Sequence, residues 1–247
     1  MGLTVLNPDS KIRPMENDNT LPDCTALDSQ TAQSLSRVYL NKVYAWMAVT
    51  MLVTAATAVY SMQSSEILTW VVNNLLLLSI GSIGIVLVMI FAARRLTAGA
   101  LGILLMAFAV AEGLLFGPIL CHFTQESLGL TFACTAGMFG AMSLFGAMTK
   151  INMSSWGRGL LMALLGLIIA GIANAFWGNG TFELILSAAG VIIFSILTAY
   201  DTQKLLNEGL YGTEEERRKG AILGALSLYL DFINLFLYLL RFMGRDE

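Results

Sequence analysis

The sequence predicts an all-α membrane protein of seven transmembrane helices, and three observations carry that prediction. Of 247 residues, 56% are hydrophobic and 13% charged, with a mean hydropathy of +0.71, whereas soluble domains carry about 25% charge. Seven apolar segments, at about 38–61, 67–92, 98–121, 129–149, 159–177, 182–204 and 220–243, follow one another with short loops between nearly all of them. Each is long enough to cross about 30 Å of hydrocarbon at about 1.5 Å per residue. Finally, Lys and Arg fall in alternate loops, the pattern that fixes membrane orientation.

Residues 1–36 precede the first segment. They are polar, hold Pro8, Pro14 and Pro22, and contain no apolar run, so they read as a disordered cytoplasmic tail. Because the tail lacks the basic-then-apolar pattern of a cleaved leader, the first segment is expected to serve as the targeting signal. Arg37 and Lys42 flank that segment, Arg94 and Arg95 follow the second, and Lys150 and Arg158 bracket the loop after the fourth. Lys204, Arg217, Arg218 and Lys219 lie between the sixth and seventh, while loops 62–66, 122–128 and 178–181 have no Lys or Arg. The N-terminus is therefore expected in the cytoplasm. If the seventh segment crosses fully, Arg241 and Arg245 finish outside; the bias of the earlier loops favours that over a re-entrant segment.

Several embedded features suit helix packing. Gly137, Gly140, Ala141 and Gly146 make a small-residue face in the fourth segment, of the kind that lets helices approach closely. Asn73, Asn74 and Asn174 read as interhelical hydrogen-bonders, Pro118 as a bend near the outer end of the third segment, and Trp70, Trp156 and Trp177 as an interfacial belt. One His and three scattered Cys offer no soft-metal site. Cys121 and Cys134 fall near one membrane face, where a disulfide and two separate thiols both remain open.

The chemistry concentrates in the seventh segment. Asp231 sits almost at its middle, where an ionised carboxylate costs about 2.5–3.5 kcal/mol to insert. Ser227, Asp231 and Asn234 share one helical face, with Gly224 a turn below. The remaining positions are largely apolar, so this helix reads as a rod with one wet seam, and the upstream segments as its shell. The sixth segment has a seam of its own in Thr198, Asp201 and Lys204. Two carboxylates that meet in a low-dielectric site share one proton and titrate as a coupled pair. Asp201 and Asp231 are thus a candidate pH sensor and a weak, partly hydrated calcium site, with Thr198, Ser227, Asn234 and Glu112 as supporting polar groups. Counting from the segment ends separates the two aspartates by about 10 Å in depth. They meet only if the seventh helix begins a turn or two early, or if an aqueous cavity relaxes both depths.

The run Leu226-Ser227-Leu228-Tyr229-Leu230-Asp231-Phe232-Ile233-Asn234-Leu235-Phe236, followed by Leu239-Leu240-Arg241-Phe242, strongly resembles the C-terminal signature of the Bax inhibitor-1 (transmembrane Bax inhibitor motif) family in its bacterial branch. Tyr200-Asp201-Thr202-Gln203 is similar to that family's sixth-helix motif, and Arg37-Val38-Tyr39 to the start of its first helix; the resemblance covers roughly Arg37 to Gly244. It implies a bundle whose last helix is central and wrapped by the other six, set in a bacterial inner membrane. It also implies a pH-sensitive calcium leak, with the aspartate pair at Asp201 and Asp231 and a latch at Arg94 or Arg95. A loop of about 15 residues, 205–219, sets this chain apart from compact members.

Three functions compete. In the leading one, protonation of the aspartate pair shifts the bundle between two packings and gates a calcium leak. Calcium is then the transported ion, with no tightly bound cofactor and no nucleic-acid partner. The second is a regulatory protein that binds another membrane protein, such as a protease or a cell-death component, with the tail as a handle. Intramembrane aspartyl proteolysis is the third, and the context disfavours it: Leu228-Tyr229-Leu230 precedes Asp231 where Gly-x-Gly would be needed, so no enzyme is expected.

Overall fold

The computed structural model describes residues 24–178, 180–209 and 213–243, and among them all regular structure is helical. Helix α1 is Cys24–Gln63, α2 Ser65–Asn73, α3 Leu75–Phe91, α4 Ala98–Leu120, α5 Gln125–Met148, α6 Gly157–Trp177, α7 Gly180–Glu208 and α8 Glu214–Met243, with a 3-10 turn at Met153–Trp156 before α6. Side-chain caps start several of them: Ser64, Thr97 and Thr124 accept from the backbone N–H three residues on, satisfying donors that a helix start leaves free. Six helices are long and apolar enough to cross a membrane, and α2 with α3 makes a seventh if the bent pair is one span.

Four sequence expectations change. Helix α1 begins at Cys24, so 24–36 is not disordered tail; the stretch has no Gly or Pro, and an established helix propagates through it at little cost. The rest of the expected tail, 1–23, lies outside the described residues, as does Arg245. The second segment is broken at Asn74 into pieces inclined by 76°. Asn74 donates from Nδ2 to the Trp70 carbonyl at 2.8 Å, so it terminates α2 instead of bonding a neighbouring helix, while Asn73 is exposed. The loop expected at 205–219 shrinks because α7 runs to Glu208 and α8 starts at Glu214, where Thr213 and Glu216 form a reciprocal cap: the Thr213 N–H donates to the Glu216 carboxylate at 2.7 Å and the Glu216 N–H to the Thr213 hydroxyl at 3.3 Å.

The fourth change concerns α5. Its Gly137 and Gly140 have open space where a Cβ would stand, and only Gly146 is pressed against a neighbour, the α7 backbone at Ala199. Another close small-residue contact is on α4, where a Cβ at Gly113 would come within 2.6 Å of the Thr54 carbonyl and 2.7 Å of Thr57 Cβ on α1. Cys121 and Cys134 are free thiols. Trp70, Trp156 and Trp177 are exposed near helix ends, as a belt requires.

Helix α8 is the axis of the bundle. In its most apolar stretch 56% of residues are buried, against 11–33% in the other five long helices. It packs broadly on α1, α4, α5 and α7, with aromatic contacts Phe108–Tyr229 and Phe139–Phe232 filling the core. Helices α3 and α6 lie outside that contact, leaning on α4 and α7 respectively. Each faces α8 across a cavity.

Candidate functional site

Four consecutive residues of α7 reach four different partners at one end of the bundle. The Tyr200 ring lies over Gly157, where a Cβ would stand 2.5 Å from its hydroxyl. Asp201 accepts a short hydrogen bond from the Ser227 hydroxyl of α8. Thr202 Oγ1 is 3.1 Å from Ser143 Oγ on α5, which in turn is hydrogen-bonded to the Tyr44 hydroxyl of α1. Gln203 holds the α5–α6 loop with both ends of its amide, accepting from the Met153 N–H at 2.8 Å and donating to the Ile151 carbonyl at 2.9 Å. This turn of α7 is therefore locked to α1, α5, the 3-10 turn and α8.

The Asp201–Ser227 bond sets the register of α7 against α8. Ser227 and Asp231 are four residues apart, so the two aspartates differ in depth by about one turn, ~6 Å. Helix α8 starts early, at Glu214, which fits an offset smaller than the segment ends suggest. Asp231 is only 5% exposed, and its Oδ2 has no hydrogen-bond partner among the described residues. No hydrogen bond joins the carboxylates to one another; instead both face a cavity of about 320 Å³ between α6, α7 and α8, together with Ser227 and Asn234. Asn234 donates from Nδ2 to the Leu230 carbonyl at 2.8 Å, which leaves its oxygen as the remaining acceptor. A second cavity, about 380 Å³, lies beside Ile90 of α3 and shares Asp201 and Ser227 as its wall.

The other expected site residues are spread more widely. Thr198 is buried and donates to the Phe194 carbonyl of its own helix at 2.8 Å. Lys204 lines the larger cavity but pairs with Glu208 at 3.8 Å, both about half-exposed. Arg94 and Arg95 are exposed on the α3–α4 turn and make no ion pair with either aspartate among the described residues. That turn is nonetheless tied to the start of α8, because the Ala98 N–H donates to Glu215 Oε1 at 3.0 Å. Glu112 of α4 lines neither cavity with the aspartates and lies near Ser82 of α3, whose hydroxyl donates to the Ser79 carbonyl at 3.1 Å. Beside it the fully buried Tyr229 hydroxyl meets Thr54 Oγ1 at 3.0 Å, and that hydroxyl donates to the Ala109 carbonyl at 3.1 Å.

Sequence reasoning missed the Tyr44–Ser143–Thr202 chain and the Thr54–Tyr229 pair, since hydroxyls on four separate helices carry no shared spacing. A signal was present for Gln203, the last residue of the Tyr200-Asp201-Thr202-Gln203 motif. Among the described residues no group of three or more His, Cys, Asp or Glu is placed to hold a metal ion. The oxygen-bearing side chains on the smaller cavity are two carboxylates, the Ser227 and Tyr238 hydroxyls and the Asn234 amide.

Comparison with known proteins agrees with this architecture. A family model described as inhibitor of apoptosis-promoting Bax1 matches residues 36–247. The chain is 41% identical over 214 residues to the inner membrane protein YbhL of Escherichia coli K12, covering 84% of this chain and 92% of that protein. It is 38% identical over 217 residues to an uncharacterised protein of Deinococcus radiodurans, covering 87% and 94%, and 33% identical over 232 residues to the uncharacterised protein RP147 of Rickettsia prowazekii, covering 92% and 98%. The chain is an integral membrane protein and belongs to the Bax inhibitor-1 family.

Proposed function

We propose that the protein is a pH-sensitive calcium leak channel controlled by Asp201 and Asp231, working in a bacterial inner membrane with its N-terminus in the cytoplasm. The observation that carries this reading is the buried Asp231 carboxylate, one oxygen unpartnered, facing the same cavity as Asp201 one turn away. An intramembrane acid so placed is costly without a proton or a cation. When both carboxylates are ionised they repel one another and attract a hard cation; when one is protonated the attraction falls. Calcium takes six to eight oxygens, so an ion held here keeps much of its water, which suits passage better than storage.

In this reading the Ser227–Asp201 bond joins α7 to α8 in one packing of the bundle. Deprotonation shifts the population toward another, in which Arg94 or Arg95 moves from the α3–α4 turn toward the acidic wall. Calcium flux into proteoliposomes as a function of pH tests it. The wild type is expected to show a pH-dependent flux, and Asp231→Asn a flux that no longer responds to pH. Equal flux from both proteins at every pH would rule the sensor out.

A further inference from the structure

The side of α8 that α3 and α6 leave uncovered carries a continuous stripe of half-buried residues, Leu223, Ser227, Leu230, Asn234 and Leu237, spaced three and four apart along one helical face. The smaller cavity opens on this stripe. Its outer wall is Leu164 and Ile168 of α6, and Ile168 is itself 48% exposed on the lipid-facing side. Phe194 and Tyr238 form another wall with their rings stacked at 5.8 Å and 25°. Among the described residues the charged side chains on the lining are Asp201 and Asp231; Lys204, three residues along α7, acts on Asp201 from the neighbouring cavity, and Arg241 of α8 stands over the far end of the wall, 6.0 Å from the centre of the Tyr238 ring.

This combination does not suit a strongly hydrated ion as a resident ligand, since among the described residues no third acidic group stands with the two carboxylates and the walls are otherwise largely apolar. It suits an organic cation. The buried Asp231 carboxylate, with Oδ2 unpartnered, supplies the counter-charge, the Phe194 and Tyr238 side chains add aromatic surface to the wall, and leucine and isoleucine side chains accept an apolar body. A volume of about 320 Å³ falls in the range of small-molecule sites, roughly 300–1,000 Å³. We infer that the cavity between α6, α7 and α8 binds a lipophilic organic cation, one quaternary or protonated amine on an apolar tail, which arrives from the bilayer between α3 and α6 and sets its charge against Asp231. This goes beyond the leak reading and stands without it, because it concerns equilibrium binding and not flux.

The test uses the full chain in nanodiscs of zwitterionic lipid, with radiolabelled octyltrimethylammonium as probe, octanol as uncharged competitor and empty nanodiscs as background. Saturable binding is expected at about one site per chain. Asp231→Asn should weaken it about tenfold or more, Leu164→Trp should fill the cavity and remove it, and octanol should compete weakly. Monodisperse elution of both variants, with unchanged helical circular dichroism, separates loss of the site from loss of the fold. Binding no greater than the background overturns the proposal. So does binding unaffected by Asp231→Asn, or equal competition by octanol, which would make the cavity a groove for neutral lipid chains. The leak reading fails separately, on flux that ignores Asp231.

Discussion

The Thr54–Tyr229 pair shows how a buried hydroxyl is held in this bundle and what its loss costs. Tyr229 is 0% exposed and its hydroxyl has Thr54 as its hydrogen-bond partner, whereas Thr54 also donates to the Ala109 carbonyl. The two truncations should therefore differ. Tyr229→Phe removes a hydroxyl and leaves Thr54 with another partner, at a cost of about 1 kcal/mol; Thr54→Val strands the phenol in the core and should cost about 1–3 kcal/mol. Thermal unfolding in detergent should rank Thr54→Val as the less stable, and the reverse order would mean that Tyr229 finds its partner elsewhere. The same asymmetry bears on Asp231, whose Oδ2 already lacks a partner. Asp231→Asn removes a buried acid without changing its shape, which is why it serves the functional tests above.

At the scale of elements, glycines on one helix play opposite parts according to what stands against them. On α5, a Cβ at Gly137 meets nothing within 4 Å, while one at Gly146 would come within 2.8 Å of Ala199 Cα on α7. Gly137→Ala should stabilise by about 0.5–1 kcal/mol, since it lowers the freedom of the unfolded chain without a clash. Gly146→Ala forces two backbones apart and should cost about 1–3 kcal/mol. Melting temperatures that move in the same direction for both variants would contradict this packing of α5 on α7. The register matters to the site, because Ala199 lies two residues from Asp201 and one turn of α7 carries all four motif contacts.

For the whole molecule, the break at Asn74 decides the parity of the topology. If α2 and α3 together cross once, the chain crosses seven times and its two ends lie on opposite sides; if the pair turns back, six crossings put them on the same side. Helix α8 is continuous from Glu214 to Met243, about 45 Å at about 1.5 Å per residue, so it has the length for a full span. We expect seven crossings. In a background without native cysteines, Gln63→Cys should react with an impermeant maleimide from the same side as Glu126→Cys and the opposite side to Arg95→Cys. Labelling of Gln63→Cys from the Arg95 side would mean that the bent pair turns back and would remove one crossing.

The sequence alone determined the membrane class, the approximate spans and the presence of a carboxylate, Asp231, within an apolar span, because hydrophobicity and the cost of a buried charge are local properties of composition and depth. It also offered Asp201, from a motif on the adjacent segment, and the two side chains line one cavity. Helix ends were less legible, since the charged first turns of α8 and the Ala- and Gln-containing start of α1 look like loop by hydropathy while favouring helix by propensity and capping. Helix contacts decided the rest. That Ser227 stands between the aspartates, that α5 presents two glycines to open space, and that α3 and α6 leave a stripe of α8 uncovered all depend on rotations and offsets between helices. Those are set by the interlocking of side chains far apart in the sequence, such as Gly113 against Thr54 and Gly146 against Ala199, and no periodicity within a single segment encodes them.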